Sequence, residues 1–253
     1  MDRQVFAYSG ILEPRPGEPG NLPLVEFALD LGRTRWLWDG AVRLCYLPTA
    51  VGDDPRAIAV HEQVFGDRED VDFSVLRLFP SPSVPDVRKH LLRQDVLLVE
   101  DGSLANLLAV WRAHGLHEIL TECWEEGIVL TGSGAGSQIW HAGGPTGSLS
   151  EQLEPLADGL GMLPFSNGPH HDSPRRLRAP YRRMVARGEL PPGYATEDGV
   201  GLHFVGTDLE DAVTVRKGAK AWHLRPNGRG GCSEMPVETR LLGSGGGSRD
   251  TPT

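Results

Sequence analysis

Two stretches of the chain hold groups able to move protons or attack carbon. The first is LLVEDGSLANLL, where Glu100 and Asp101 stand side by side at the end of an apolar run, followed by Gly102 and Ser103. Neighbouring carboxylates raise each other's pKa, hold a cation or ammonium group, or divide the work of acid and base. The plain alternative is a pair of solvated turn acids at a strand end. The second stretch is GIVLTGSGAGSQIW, residues 127–140, an apolar run that meets a cluster of small residues and goes on in a helical pattern. A strand that turns sharply into a helix pushes its apex side chain forward and sets helix N-terminal N–H groups beside it, which suits a nucleophile next to an oxyanion site. The apex residue here is Gly134, between Ser133 and Ala135, and it has nothing to present. Ser133 and Ser137 flank it, but adjacent side chains in a tight turn diverge and Ser137 belongs to the following helix, so neither is expected to substitute. An isolated cluster of this kind also serves simply to let a helix pack closely on a sheet.

His170 and His171 follow Pro169 in a Gly/Pro-rich loop. Vicinal histidines diverge and are no metal signature, so His170 reads as a cleft residue and His171 as surface. Asp172 and Asp198 serve as readily to cap or turn as to orient a histidine. Arg175, Arg176, Arg178, Arg182 and Arg183 form a solvated helix face, from which Arg178 is the candidate to reach the cleft and hold a carboxylate. Trp111, Trp124 and Trp140 sit on helical patterns and are expected in the core, whereas Trp36 and Trp38 precede a strand and are expected to be partly exposed.

These groups need a scaffold, and its pattern is regular. Strand-like runs QVFAYSG, VRLCYLPTA, VDFSVLRLF, DVLLVE and GIVLTG alternate with DPRAIAVHEQVFG, VPDVRKHLLRQ and SLANLLAVWRAHGLHEILTECWEEG, whose apolar residues recur at helical spacing. Alternation of this kind predicts an α/β fold with a mostly parallel sheet and helices on both faces. After about residue 195 the runs GVGLHFVG, DAVTVRK, KAWHLRP and PVETRLL predict antiparallel strands added at an edge. Residues 1–242 are taken as a single α/β domain and 243–253 as a flexible Gly/Ser-rich tail.

Composition bounds the partners. The chain has 253 residues and a net charge of -9, which argues against a nucleic-acid partner because phosphate binding needs clustered cations. Three cysteines without a CxxC spacing read as reduced thiols of a cytoplasmic protein. No signal-peptide pattern and no apolar run of roughly 18 residues appear, so no membrane partner is expected. Only 3 of the 25 basic residues are Lys, a usage associated with GC-rich bacterial genomes.

From residue 4 to about 242 the sequence resembles the peptidase E family of serine peptidases, the aspartyl dipeptidase and cyanophycinase-like group. The carriers are LLVEDGSLANLLAVWRAHGLHEIL against a strand ending in a Gly-rich loop, GIVLTGSGAGSQIWH against a Gly-x-Ser-Ala-Gly elbow, LPFSNGPHHDS against the segment with the catalytic His, and YATEDGVGLHF against an acidic-Gly segment. The resemblance implies a flavodoxin-like three-layer α/β/α sandwich whose active members cleave small acidic peptides with no metal and no organic cofactor. It places the nucleophile at Gly134, the catalytic His at His170 and an acid at Asp198. Glycines beside the oxyanion site fall on Glu100 and Asp101, with Gly102 retained, and a further acid falls near Gly147 and is absent.

The expected function is therefore a peptidase E-like protein without serine-peptidase machinery: a repurposed, non-hydrolytic enzyme doing acid/base chemistry on a small molecule or peptide with Glu100, Asp101, His170 and Asp198. Gly102, Ser103, Ser133, Gly134, Ala135, Ser137 and Arg178 are the expected binding residues. A silent peptide- or partner-binding protein and an inactivated serine hydrolase are the alternatives, and a homodimer stays open.

Overall fold

A computed structural model of the chain describes residues 2–10, 20–34 and 40–243, so Trp36, Trp38 and the tail from 244 lie outside the described residues. The elements run β1 (Gln4–Tyr8), α1 (Leu22–Thr34), β2 (Val42–Tyr46), α2 (Pro55–Phe65), β3 (Val71–Val75), α3 (Val87–Leu91), β4 (Val96–Val99), α4 (Leu104–Ala113), α5 (Leu116–Glu125), β5 (Val129–Ser133) and α6 (Ala135–Gln138). They continue with β6 (His141–Thr146), β7 (Glu154–Leu156), β8 (Leu163–Gly168), α7 (Ala179–Ala186), β9 (Gly193–Thr196), β10 (Val200–Val205), β11 (Asp208–Thr214), β12 (Ala221–Pro226), β13 (Cys232–Val237) and β14 (Arg240–Leu241).

The larger sheet has the strand order β14-β11-β10-β1-β5-β4-β2-β3. Strands β1, β5, β4, β2 and β3 pair in parallel, and β10 and β11 extend them in antiparallel sense. Successive strand residues point to opposite faces, and both faces of these strands are apolar. Val5, Ala7, Leu97, Val99 and Leu130 join one core cluster with α4 and α5, while Phe6, Tyr8, Val96, Leu98 and Val129 join another with α1. Helices on both faces follow, the layered α/β arrangement of a flavodoxin-like fold. Trp111, Trp124 and Trp140 are buried, with Trp111 and Trp140 packed ring to ring at 5.7 Å.

Two features depart from the sequence reading. The helix after the small-residue cluster lasts only from Ala135 to Gln138, and the chain re-extends at once as β6. A second sheet, ordered β13-β12-β9-β8-β6-β7, takes KAWHLRP into β12 rather than to the edge of the first sheet. Leu163 and Ala221 of this sheet, and Met162 just before β8, share the core cluster that contains Trp140.

Candidate functional site

Strand β5 leaves the sheet at Gly134, where φ is 55° and ψ is -118°. That region costs a residue with a side chain about 1–3 kcal/mol and glycine nothing comparable. Close packing explains a neighbouring glycine: a Cβ on Gly136 would stand 1.9 Å from the Val99 carbonyl oxygen, so α6 rests directly on the end of β4. At Gly134 the obstacle is different. A Cβ there would lie 2.0 Å from Asp101 Oδ1 and 2.1 Å from its Cγ. The carboxyl group of Asp101, delivered from the β4–α4 loop, fills the volume that an apex side chain would occupy.

Asp101 is held there from two sides. Its Oδ1 accepts the backbone N–H of Ala135 at 2.8 Å and that of Gly102 at 2.8 Å. Its Oδ2 lies 3.4 Å from His170 Nε2, and His170 Nδ1 stands 2.5 Å from Asp198 Oδ1. Because a carboxylate only accepts, both imidazole nitrogens face acceptors, and the ring is stabilised with a proton on each. Burial alone would lower the His170 pKa, but Asp101 and Asp198 outweigh it and push it up to about 10. Burial would raise Asp101, yet His170 and the N–H groups of Ala135 and Gly102 hold it below the usual carboxylate range. The result at neutral pH is one imidazolium between two carboxylates.

The loop that carries His170 is itself clamped. His170 has φ 56°, an uncommon conformation for a residue with a side chain. Its N–H points to Ser9 Oγ at 3.3 Å, Ser9 Oγ meets Thr196 Oγ1 at 2.5 Å, and the His171 N–H donates to the Thr196 carbonyl at 2.9 Å. Ser9 and Thr196 therefore fix the histidine backbone from the ends of β1 and β9; the sequence reading singled out neither, although Thr196 lies two residues before Asp198 in the YATEDGVGLHF segment.

Glu100 does not join this group. Tyr8 donates its hydroxyl to Glu100 Oε1 at 2.8 Å and His61 lies 3.9 Å away, on the face opposite Asp101. Burial first, and Glu100 second, push the Tyr8 hydroxyl well above its ordinary pKa. The expected convergence of Glu100 with Asp101 and His170 thus fails, because successive residues leaving a strand point to opposite faces. Ser133 donates its hydroxyl to the Gly10 carbonyl, and Ser137 donates to the Gly134 carbonyl at 2.8 Å; both are fully buried. Ser103 lines the cleft and accepts the Asn106 N–H as the N-cap of α4.

Arg178 also departs from expectation. It pairs with Glu234 at 2.9 Å and lies over the Trp222 ring at 4.8 Å, while among the described residues Arg176 and Arg216 are the cations that line the cleft. His171, expected at the surface, is buried, with Nε2 2.7 Å from Glu234 Oε1. Asp172 ties Arg216 at 2.8 Å. The cleft enclosed by Asn21, Asp101, His170, Asp198, Arg176 and Arg216 has a volume of about 810 Å³, within the range of small-molecule sites. Among the described residues no group of three or more His, Cys, Asp or Glu side chains is arranged to hold a metal ion, and no helix is long and apolar enough to cross a membrane.

Comparison with known proteins agrees with this architecture. The protein named Uncharacterized peptidase YgaJ, from Bacillus subtilis (strain 168), is 34% identical over 228 residues, covering 89% of this chain and 94% of the relative. A peptidase from an acI-B1 Actinobacterium superposes with a TM-score of 0.68 at 19% identity, covering 94% of this chain and 95% of that one. A putative peptidase E protein from Listeria monocytogenes EGD-e superposes with a TM-score of 0.56 at 15% identity, covering 85% and 100%. At those identities the two structures speak for the fold. The family model described as Peptidase family S51 matches residues 36–212, most of the chain, and the chain belongs to that family.

Proposed function

We propose that this member of a peptidase family acts as an enzyme whose cleft runs on carboxylate and imidazole acid/base chemistry toward a small molecule or peptide, and not as a serine peptidase. The observation that carries the reading is the seating of Asp101: its carboxyl group takes the place of an apex side chain at Gly134 and faces His170 across 3.4 Å. Neither hydroxyl that flanks the turn is available for attack, since Ser133 and Ser137 commit theirs to backbone carbonyls inside the protein. The proton needed for catalysis is at hand instead. Asp101 Oδ2 receives a proton from a bound molecule, and the Nε2–H of His170, oriented by Asp198, returns one.

Ring opening of nitrobenzisoxazole requires one proton abstraction and reports on any positioned base through a coloured product. The wild-type protein is expected to open it faster than Asp101→Asn, with no labelling of either protein by a serine-directed fluorophosphonate. Equal rates for wild type and Asp101→Asn, or fluorophosphonate attached to Ser133 or Ser137, would overturn the reading. Silent binding is the second reading. It is favoured by the same contacts, because Asp101 is already satisfied by Ala135, Gly102 and His170 without any ligand.

A further inference from the structure

We propose that Asp101 is a nucleophile: its Oδ2 displaces an anionic leaving group from a saturated carbon, and water deprotonated by His170 then hydrolyses the aspartyl ester. The inference rests on the reading above that Asp101 and His170 are the working groups of the cleft, and goes beyond it by giving Asp101 Oδ2 a bond to carbon in place of a proton transfer.

The two oxygens of Asp101 are not equivalent. Oδ1 holds both backbone donors at the turn, the N–H groups of Ala135 and Gly102, each at 2.8 Å. Those donors are therefore taken before any substrate arrives. A carbonyl substrate attacked in this cleft would develop its oxyanion away from them, and losing one such donor already slows catalysis by about 10²–10³-fold. Displacement at a saturated carbon develops no such oxyanion. Oδ2 is the oxygen with lone pairs to spare, on a side chain that keeps 45% of its surface accessible.

The occupied donors become useful in the second half of the cycle. Oδ2 forms a bond to the substrate carbon as the carbon–X bond breaks, and X leaves with the electron pair as an anion beside Arg176 and Arg216, which line the same cleft. Oδ1 is now the carbonyl oxygen of an ester. Alkylation removes one of the two carboxylate charges that keep His170 protonated, so the Nε2 proton passes to solvent while Asp198 retains the Nδ1–H at 2.5 Å. Nε2 then takes a proton from water as the water oxygen adds to Asp101 Cγ. The negative charge that results falls on Oδ1, where the Ala135 and Gly102 N–H groups already point. Collapse expels the alkoxide, which recovers the proton from His170. The balance is R–X plus water giving R–OH, a proton and the anion of X, with no oxidant or cofactor required.

The test uses para-nitrobenzyl bromide on the full chain and reads mass rather than activity alone. In His170→Gln the ester is expected to persist as a single adduct on the peptide carrying Asp101, its loss slowed by about 10²–10⁴-fold against wild type. In heavy-oxygen water a single turnover of wild-type protein is expected to leave the heavy oxygen in the Asp101 carboxyl group and ordinary oxygen in the para-nitrobenzyl alcohol. This measurement needs no variant. Adducts confined to histidine or cysteine, or heavy oxygen found only in the alcohol, would overturn the proposal. Nitrobenzisoxazole separates the two levels of failure: Asp101-dependent opening without an Asp101 ester removes the nucleophile and keeps the base, whereas loss of both removes the reading on which the nucleophile stands.

Discussion

His170 and His171 are neighbours in the chain and opposites in chemistry. His170 faces the cleft between Asp101 and Asp198, and its pKa is pushed up to about 10 after the penalty of burial. His171 is turned into the protein with 1% of its side chain accessible, and its pKa is lowered, first by burial, although Glu234 accepts its Nε2–H at 2.7 Å. One carboxylate against two does not fully explain the change of sign. Glu234 also serves Arg178 at 2.9 Å and Arg182 at 3.4 Å, so its charge is shared among cations before it reaches the ring. Asp101 instead takes backbone N–H dipoles, which keep it anionic without cancelling its charge. The positive φ of His170 lets two adjacent imidazoles serve a cleft and a core.

Replacing Gly134 by serine should break the His170 side most severely. The new Cβ would meet the Asp101 carboxyl group in a backbone region already costing about 1–3 kcal/mol, and overpacking adds about 1–3 kcal/mol more. A denaturant midpoint well below wild type is expected, together with a lower His170 pKa as Asp101 is driven away from the ring. Adding Asp101→Gly to Gly134→Ser should recover part of the loss, with a coupling of about 0.5–3 kcal/mol. A Gly134→Ser protein as stable as wild type would show that Asp101 does not hold that space.

On the other side, Glu234→Ala should cost about 1.5–3 kcal/mol, since it leaves the buried His171 N–H without its acceptor and strips Arg178 of its partner. The His170 resonance should titrate as in wild type. If instead the His170 titration moves with Glu234→Ala, the two histidines form one network and the contrast dissolves.

How much of this was legible in the sequence depends on range. The β5 elbow shows in GIVLTGSGAG because its demands are local, a strand followed by residues that tolerate unusual φ and close approach. The divergence of Glu100 and Asp101 follows from strand alternation, which puts Glu100 on the same face as Leu98, and that face is the buried one with Tyr8. What the sequence did not disclose is that Asp101 fills the space beside Gly134. That contact joins loops following β4 and β5, which are adjacent only because the parallel sheet pairs Val99 with Gly132. The second sheet was hidden for another reason. HAGGPT and LPFSNG are rich in Gly and Pro and lack the alternation that marks a strand, so β6 and β8 exist through tertiary pairing.

The most direct reading of the contrast is the pH dependence of stability, compared between His170→Gln and His171→Gln. His170 has a folded pKa of about 10 against an ordinary 6.5, so its contribution is full below about 6.5 and disappears as pH rises through about 10. Asp101, held below its ordinary 3.8, contributes above that value and loses the contribution in acid. The groups facing His170 are Asp101 and Asp198, with the Asp172–Arg216 pair and Arg176 at the cleft wall. The stability difference between wild type and His170→Gln should therefore be largest between about pH 4.5 and 6 and shrink steadily toward alkaline pH. His171 runs the other way. Its folded pKa lies below 6.5, so protonation favours the unfolded chain, and wild type should lose stability relative to His171→Gln as pH falls below about 6.5. Chemical denaturation across this range gives two difference curves that slope in opposite directions. Parallel curves would mean that the two settings do not separate the histidines, and that the cleft holds no imidazolium at neutral pH.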